Sequence, residues 1–238
     1  MTFNEFDRMV ISYFQTLTLQ PDKIPETGER IRTDFVEHAV PLLLQWPEVK
    51  CVSIFAPGQS NDPYVDDDET PDLVIQLTLL DLTILSRLFK NATIWEPLST
   101  SSTRTLSYDV FEVISFEPLK DDGVSRRIAP ISYNVRYFPP VEDIDRFVSY
   151  YLDNHVPILN DLPDIRNVLC YLPILWDHPA RIEKSGCILG NEVIFDSFKS
   201  LDKALASDVR HRLREDYNMF PVKPGPNTHC AMYREDFR

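Results

Sequence analysis

Two prolines six residues apart inside an apolar segment occur twice in this chain, the second pair 116 residues after the first. Val40-Pro41-Leu42-Leu43-Leu44-Gln45-Trp46-Pro47-Glu48-Val49 stands against Val156-Pro157-Ile158-Leu159-Asn160-Asp161-Leu162-Pro163-Asp164-Ile165. Proline lacks an N–H, and its ring collides with the carbonyl four residues back. The first proline of each pair therefore kinks or restarts a helix, and the second ends it. Each segment reads as one passage from helix to strand, used twice.

The flanking patterns recur in the same order. The apolar run Met9-Val10-Ile11-Ser12-Tyr13-Phe14 predicts a strand, and residues 20–26 a loop. Ile31, Phe35, Ala39 and Leu42 fall at helical spacing within residues 27–44, and residues 50–55 predict a second strand. A loop over 59–71, a strand over 73–77, a helix over 80–90 and a strand over 107–116 complete a β-α-β-β-α-β order. In the second half, Ile131, Tyr133, Val135 and Tyr137 alternate as a strand does, and a helix over 141–154 leads to a strand over 167–172. A strand over 192–195, a helix over 200–216 and a strand over 228–233 follow.

This pattern predicts an α+β fold of two tandem ferredoxin-like units: residues 1–117, a polar linker over 118–129, and residues 130–238. Each unit makes a four-stranded antiparallel sheet with both helices on one face, leaving the other face apolar. Packing those two faces together within one chain gives an intramolecular barrel, with a cavity expected between the sheets. Such a barrel suffices as a monomer, while an exposed sheet edge would drive a homodimer.

Composition narrows the function classes. A net charge of −13 argues against nucleic acid or an anionic membrane surface as partner. With 6 glycines against 19 prolines, and no GxGxxG or GxxxxGK[ST], the common phosphate loops are absent. No HExxH, no His/Cys cluster and no G-x-S-x-G elbow occurs, so neither a metal site nor a serine hydrolase is expected. The run Asp66-Asp67-Asp68-Glu69 lacks calcium-loop spacing and reads as a solvated loop. Cys51, Cys170, Cys187 and Cys230 are far apart, and Cys51 and Cys170 sit in strand-like runs as small hydrophobes. With no long apolar run and no signal-peptide pattern over residues 1–20, a cytoplasmic location is the default.

His155-Val156-Pro157-Ile158-Leu159-Asn160-Asp161-Leu162-Pro163-Asp164-Ile165-Arg166 resembles the signature of the EthD-like branch of the dimeric α+β barrel superfamily. There a helix ends in His-[Ala/Val]-Pro-Leu and leads through Leu-Pro-Gly-[Leu/Ile]-Arg into the second strand. His155 falls on the family histidine and Arg166 on its arginine, while Asp164 stands where glycine is usual. The first half is similar to a degenerate copy, with His38 one residue out of step, Glu48 for the glycine and Lys50 for the arginine. The resemblance implies acid/base chemistry, without a cofactor, on a small organic substrate. Polyketide-like aromatic or carbonyl compounds are the expected class, by dehydration, decarboxylation, isomerisation or cyclisation.

On this reading His155 is the general acid or base, an imidazole at a helix end that titrates near neutrality. The competing reading is a histidine that caps its helix. His38 and Tyr133 are the candidate assistants, Tyr133 as a phenol donor to a carbonyl or enolate oxygen. Tyr13, Trp46 and Tyr171 are the candidates to contact substrate, although tyrosines and tryptophans at such positions more often pack a core. Asn134 and Arg136 fall on the opposite strand face from Tyr133. Three alternatives remain: a non-catalytic ligand-binding barrel, a cofactor-free monooxygenase, and a haem protein with His211 as axial ligand.

Overall fold

The computed structural model describes residues 10–20, 26–65, 70–99, 103–116, 129–179 and 182–238. The proposed linker, Ala129 apart, and the acidic run 66–69 lie outside them.

Strands β1 (Val10–Leu19), β2 (Val49–Pro57), β3 (Leu73–Leu79) and β4 (Thr103–Phe116) form the first sheet in the order β4-β1-β3-β2. Strands β5 (Ile131–Tyr137), β6 (Asn167–Pro173), β8 (Leu189–Phe195) and β9 (Asn227–Phe237) repeat that order as β9-β5-β8-β6. Two antiparallel seams join the sheets: β2 to β9, with Ile54 opposite Glu235, and β4 to β6, with Ile114 opposite Cys170. The result is a closed eight-stranded barrel, and the short strand β7 (Glu183–Lys184) runs parallel beside β4. The fold is the expected α+β barrel, closed within one chain.

Helices cover the outside. Helices α1 (Glu26–Asp34), α2 (Val40–Leu43), α3 (Ile84–Leu88) and α4 (Ala92–Trp95) lie over the first sheet. Helices α5 (Ile144–Tyr150), α6 (Val156–Leu159), α7 (Phe198–Leu205) and α8 (Asp208–Met219) lie over the second. The kink expected at Pro41 takes a specific form: residues Phe35–Ala39 wind as a π-turn, with the Val40 N–H donating to the Phe35 carbonyl. The same happens at Tyr151–His155, where the Val156 N–H donates to the Tyr151 carbonyl. Proline at the next position removes a donor and crowds the preceding turn, and the wider π-turn relieves that crowding. The single helix expected over 200–216 is instead two, broken at Ala206 and Ser207 between α7 and α8.

Strand alternation divides the side chains cleanly. Ile11, Tyr13 and Leu17 of β1 face the helices, as do Ile131, Tyr133, Val135 and Tyr137 of β5. Phe14, Phe55, Val74, Phe111, Tyr171, Cys230 and Met232 come from both units and fill the barrel interior. All four cysteines are buried, and none of them forms a disulfide. Among the described residues, no helix is long and apolar enough to cross a membrane.

The interior also holds a charged network. Glu192, fully buried on β8, accepts hydrogen bonds from Ser132 of β5 and Tyr171 of β6, and from Arg234 of β9 at 2.9 Å. Arg234 Nε also donates to Asp236 at 2.9 Å, and Asp236 accepts from Ser53 of β2. Removing one partner strands the other charge in a low-dielectric interior, which costs about 3–5 kcal/mol. Arg234→Met is therefore expected to lower the thermal unfolding midpoint sharply. Replacing Glu192 and Asp236 by uncharged residues together with Arg234→Met should recover much of the loss; equal destabilisation by the single and triple variants would refute this.

Candidate functional site

Asp143 caps helix α5 by accepting from the Arg146 N–H at 3.0 Å. The helix and its π-turn then place Phe147, Tyr151, His155 and Leu159 against the second sheet. Opposite them, α8 turns Val209, Leu213 and Asp216 inward at helical spacing, and Phe220, just past its end, packs beside them. The two elements meet at His155, whose Nδ1 lies 2.7 Å from Asp216 Oδ2, with both side chains less than a tenth exposed. Tyr150 donates to the other carboxylate oxygen at 3.0 Å.

The electrostatics follow from these contacts. Burial holds His155 below the usual histidine range, outweighing the opposing hydrogen bond and charge of Asp216. Burial pushes the Asp216 carboxyl up, but its hydrogen bonds from His155 and Tyr150 leave it below the ordinary aspartate value. At neutral pH the pair is an imidazole beside a carboxylate. The carboxylate accepts the Nδ1 proton, and Nε2 keeps the basic lone pair.

His155 lines a cavity of about 80 Å³ between the second sheet and its helices. Tyr133, Asn191, Val193 and His229 form its sheet wall, and Tyr151, Leu159, Arg214 and Tyr217 its helix wall. His229 is driven down to about 4, mainly by burial, and is neutral at pH 7. The first unit supplies the cover. Asp62, from the loop after β2, takes a two-pronged ion pair from Arg210 at 2.9 and 3.0 Å and the Tyr133 hydroxyl at 2.8 Å. Tyr64 of the same loop lies under the guanidinium of Arg210, 4.9 Å from its ring centroid, and bonds to His211. Among the described residues, Arg214 has no carboxylate partner; its guanidinium lies 5.5 Å from the Tyr64 ring centroid and 5.7 Å from that of Tyr217.

The structure brings two of the sequence-selected residues, His155 and Tyr133, to one cavity and separates the rest. That cavity lies between sheet and helices rather than between the two sheets, because Tyr133 and its alternate neighbours face outward from the barrel. His38 is exposed on the first unit, with Nδ1 3.0 Å from the Asp34 carbonyl. Tyr13 is buried beneath the first unit's helices, amid Phe89, Trp95, Trp176 and His178. Trp46 packs on that unit's core with Arg87 4.7 Å above its ring. Tyr171 is in the barrel interior, bonded to Glu192. Arg166 is bound to Asp196 outside the cavity. Asp164 adopts φ 59°, the left-handed backbone that explains glycine at its motif position and that aspartate tolerates better than most residues.

Asp216, Asp62, Arg210 and His229 were not selected from sequence. Asp216 had a legible signal: it occupies an apolar position between Leu213 and Phe220 on an otherwise charged helix. Asp62 had none, since its partners are 71 and 148 residues away in sequence. No group of three or more His, Cys, Asp or Glu suited to a metal ion occurs among the described residues. His211 does not suit an axial ligand of this cavity: it is exposed, bonded to Tyr64, and does not line the cavity.

No family model matches the sequence, and no curated protein does. Solved structures do match in fold. An anthrone oxidase-like protein superposes with a TM-score of 0.66 at 10% identity, covering 99% of this chain and 95% of its own. A candidate monooxygenase from Fusobacterium nucleatum gives 0.56 at 12% identity, covering 96% and 94%. A chlorite dismutase variant from Candidatus Nitrospira defluvii gives 0.51 at 13% identity, covering 95% and 91%. These likenesses establish the α+β barrel fold over nearly the whole chain.

The histidine–aspartate pair makes a prediction. In Asp216→Asn the carboxylate that favours the imidazolium is gone while burial remains, so the His155 pKa should fall further. Imidazole ¹⁵N shifts followed against pH would show this, and an unchanged midpoint would contradict the assigned coupling.

Proposed function

We propose that this chain is a cytoplasmic small-molecule enzyme of EthD-like type, in which His155 moves a proton to or from an organic substrate. One observation carries the reading: a buried imidazole whose Nδ1 is held by Asp216, lining a mostly apolar cavity. An ionised carboxylate behind a neutral imidazole fixes the tautomer and stabilises the imidazolium that forms when Nε2 takes a proton. Arg214 on the cavity wall is the group that meets a developing enolate or phenolate oxygen, and the Tyr133 hydroxyl joins it once its hydrogen bond to Asp62 is released. The substrate is an aromatic or carbonyl compound with an acidic C–H or O–H, and the outcome is dehydration, decarboxylation, isomerisation or cyclisation. The left-handed Asp164 supports the EthD-like alignment on which the choice of His155 first rested.

The closed cavity is too small for a fused aromatic ring system, so binding one requires release of the Asp62 contacts to Arg210 and Tyr133. Cofactor-free oxygenation is the second reading, favoured by the names of the fold neighbours. In that case the carbanion formed at His155 meets O₂ instead of being reprotonated.

The test uses anthrone and a single-ring 1,3-dicarbonyl as C–H acid probes. His155→Gln should fold normally and lower deuterium exchange at the acidic carbon by about 10²–10⁴-fold. Oxygen uptake accompanying turnover would select the oxygenase reading. Full exchange activity in His155→Gln would remove the mechanism, and saturable binding without conversion by the wild type would indicate a non-catalytic barrel.

A further inference from the structure

We propose that the barrel interior holds a second small-molecule site, separate from the His155 cavity, which takes a single-ring aromatic carboxylate on the guanidinium of Arg136.

The interior contains two arginines from neighbouring strands, and the structure treats them differently. Arg234 pairs with both Glu192 and Asp236. Arg136 pairs with no carboxylate among the described residues. Its Nη1 donates long hydrogen bonds to the carbonyls of Val135 at 3.2 Å and Asn191 at 3.4 Å. Its guanidinium lies over three aromatic rings, with centroids of Phe14, Phe111 and Tyr171 at 5.1, 5.6 and 4.9 Å. Arg136 is half-buried, and Asp109, a carboxylate of the same cavity that interacts with it electrostatically, makes no hydrogen bond to it, which leaves the guanidinium fork open to a second anion. The position is also kept open by the backbone: a Cβ at Gly190 would sit 2.7 Å from Arg136 Nη1.

Beside this cation is a cavity of about 200 Å³, larger than the one at His155. Phe14, Phe55, Phe138 and Met232 offer it apolar walls, and Asn134 a polar one. A cavity of roughly 150 Å³ accepts benzene, so this one admits a single ring with a carboxylate attached. The guanidinium fork matches a carboxylate in shape and charge. The cavity reaches the barrel rim at Thr18, Pro71 and Thr105, near strand ends.

Asp109 lines the same cavity and sets the opposing charge. Its Oδ1 accepts from Ser185 at 2.7 Å and makes no ion pair with Arg136. Burial raises its carboxyl to about 6, against the pull of Ser185, Arg136 and Lys184. It is therefore largely ionised at pH 7.5 and repels an incoming carboxylate. Neutralising Asp109 must strengthen the site.

Methionine methyl groups give a local readout, because Met232 faces the cavity while Met219 is 68% exposed on α8. The full chain labelled with [methyl-¹³C]methionine is titrated at pH 7.5 with benzoate, benzamide or benzylamine. Benzoate is expected to shift Met232 saturably and leave Met219 unmoved, with both neutral and cationic analogues about tenfold weaker or worse. Arg136→Leu should abolish the shift, and Asp109→Asn should tighten benzoate several-fold. Absence of a saturable Met232 shift, equal binding of benzamide, or indifference of benzoate to Asp109→Asn would each overturn the site. The analogue series and Asp109→Asn decide the matter even if Arg136→Leu does not fold. Because none of these readouts involves His155, their failure is distinguishable from failure of the proton-transfer reading.

Discussion

The buried pairing of Glu192 with Arg234 governs how this barrel is put together. A sheet has two faces, and a one-residue slip exchanges every side chain between them. Glu192 is satisfied only when Ser132, Tyr171 and Arg234 all face inward, so one residue on β8 fixes the phase of β5, β6 and β9. Asp236 and Ser53 extend the network across the seam to β2 of the first unit. Once Glu192 points in, its neighbours Asn191 and Val193 must point out, where they form the wall of the His155 cavity. Charge at the centre of the barrel thus orients apolar and polar groups on its outside.

The same arrangement explains why the two halves differ in use. Both carry a proline-induced π-turn in the same place, but Ala39 stands in the first unit where His155 stands in the second. In the first unit, Tyr13, Phe89, Trp95, Trp176 and His178 pack against each other under the helices. In the second, the equivalent space keeps a cavity, an ionised carboxylate and an imidazole. The first unit then contributes in another way, through Asp62 and Tyr64 over that cavity.

Much of the architecture was legible because it depends on local rules. Proline spacing, strand alternation and helical spacing gave the order of elements, and tandem units with open apolar faces gave the barrel. The location of the candidate site was not, because it depended on which strand face each tyrosine occupies. Tyr13 and Tyr133 alternate correctly as strand residues, but alternation alone does not say which face meets helices. The motif around His155 marked one member of the histidine–aspartate pair. Its partner lies 61 residues on, and only the packing of α8 against the π-turn joins them. Arg136 was placed on the right strand face, yet nothing in the sequence showed that Arg234 would be matched by carboxylates and Arg136 left without one.

The position of β9 has a consequence for synthesis. It lies between β2 of the first unit and β5 of the second, yet it follows all the other barrel strands in sequence. Until residues Asn227–Phe237 emerge, β2 presents an unpaired edge beside the apolar inner face of its sheet, and Glu192 has no cation. The nascent chain therefore passes through a stage in which the seven other barrel strands exist but the barrel remains open along one side. Edges of that kind pair readily with other chains. An unpaired β2 edge during synthesis is therefore a point at which this fold is open to mispairing.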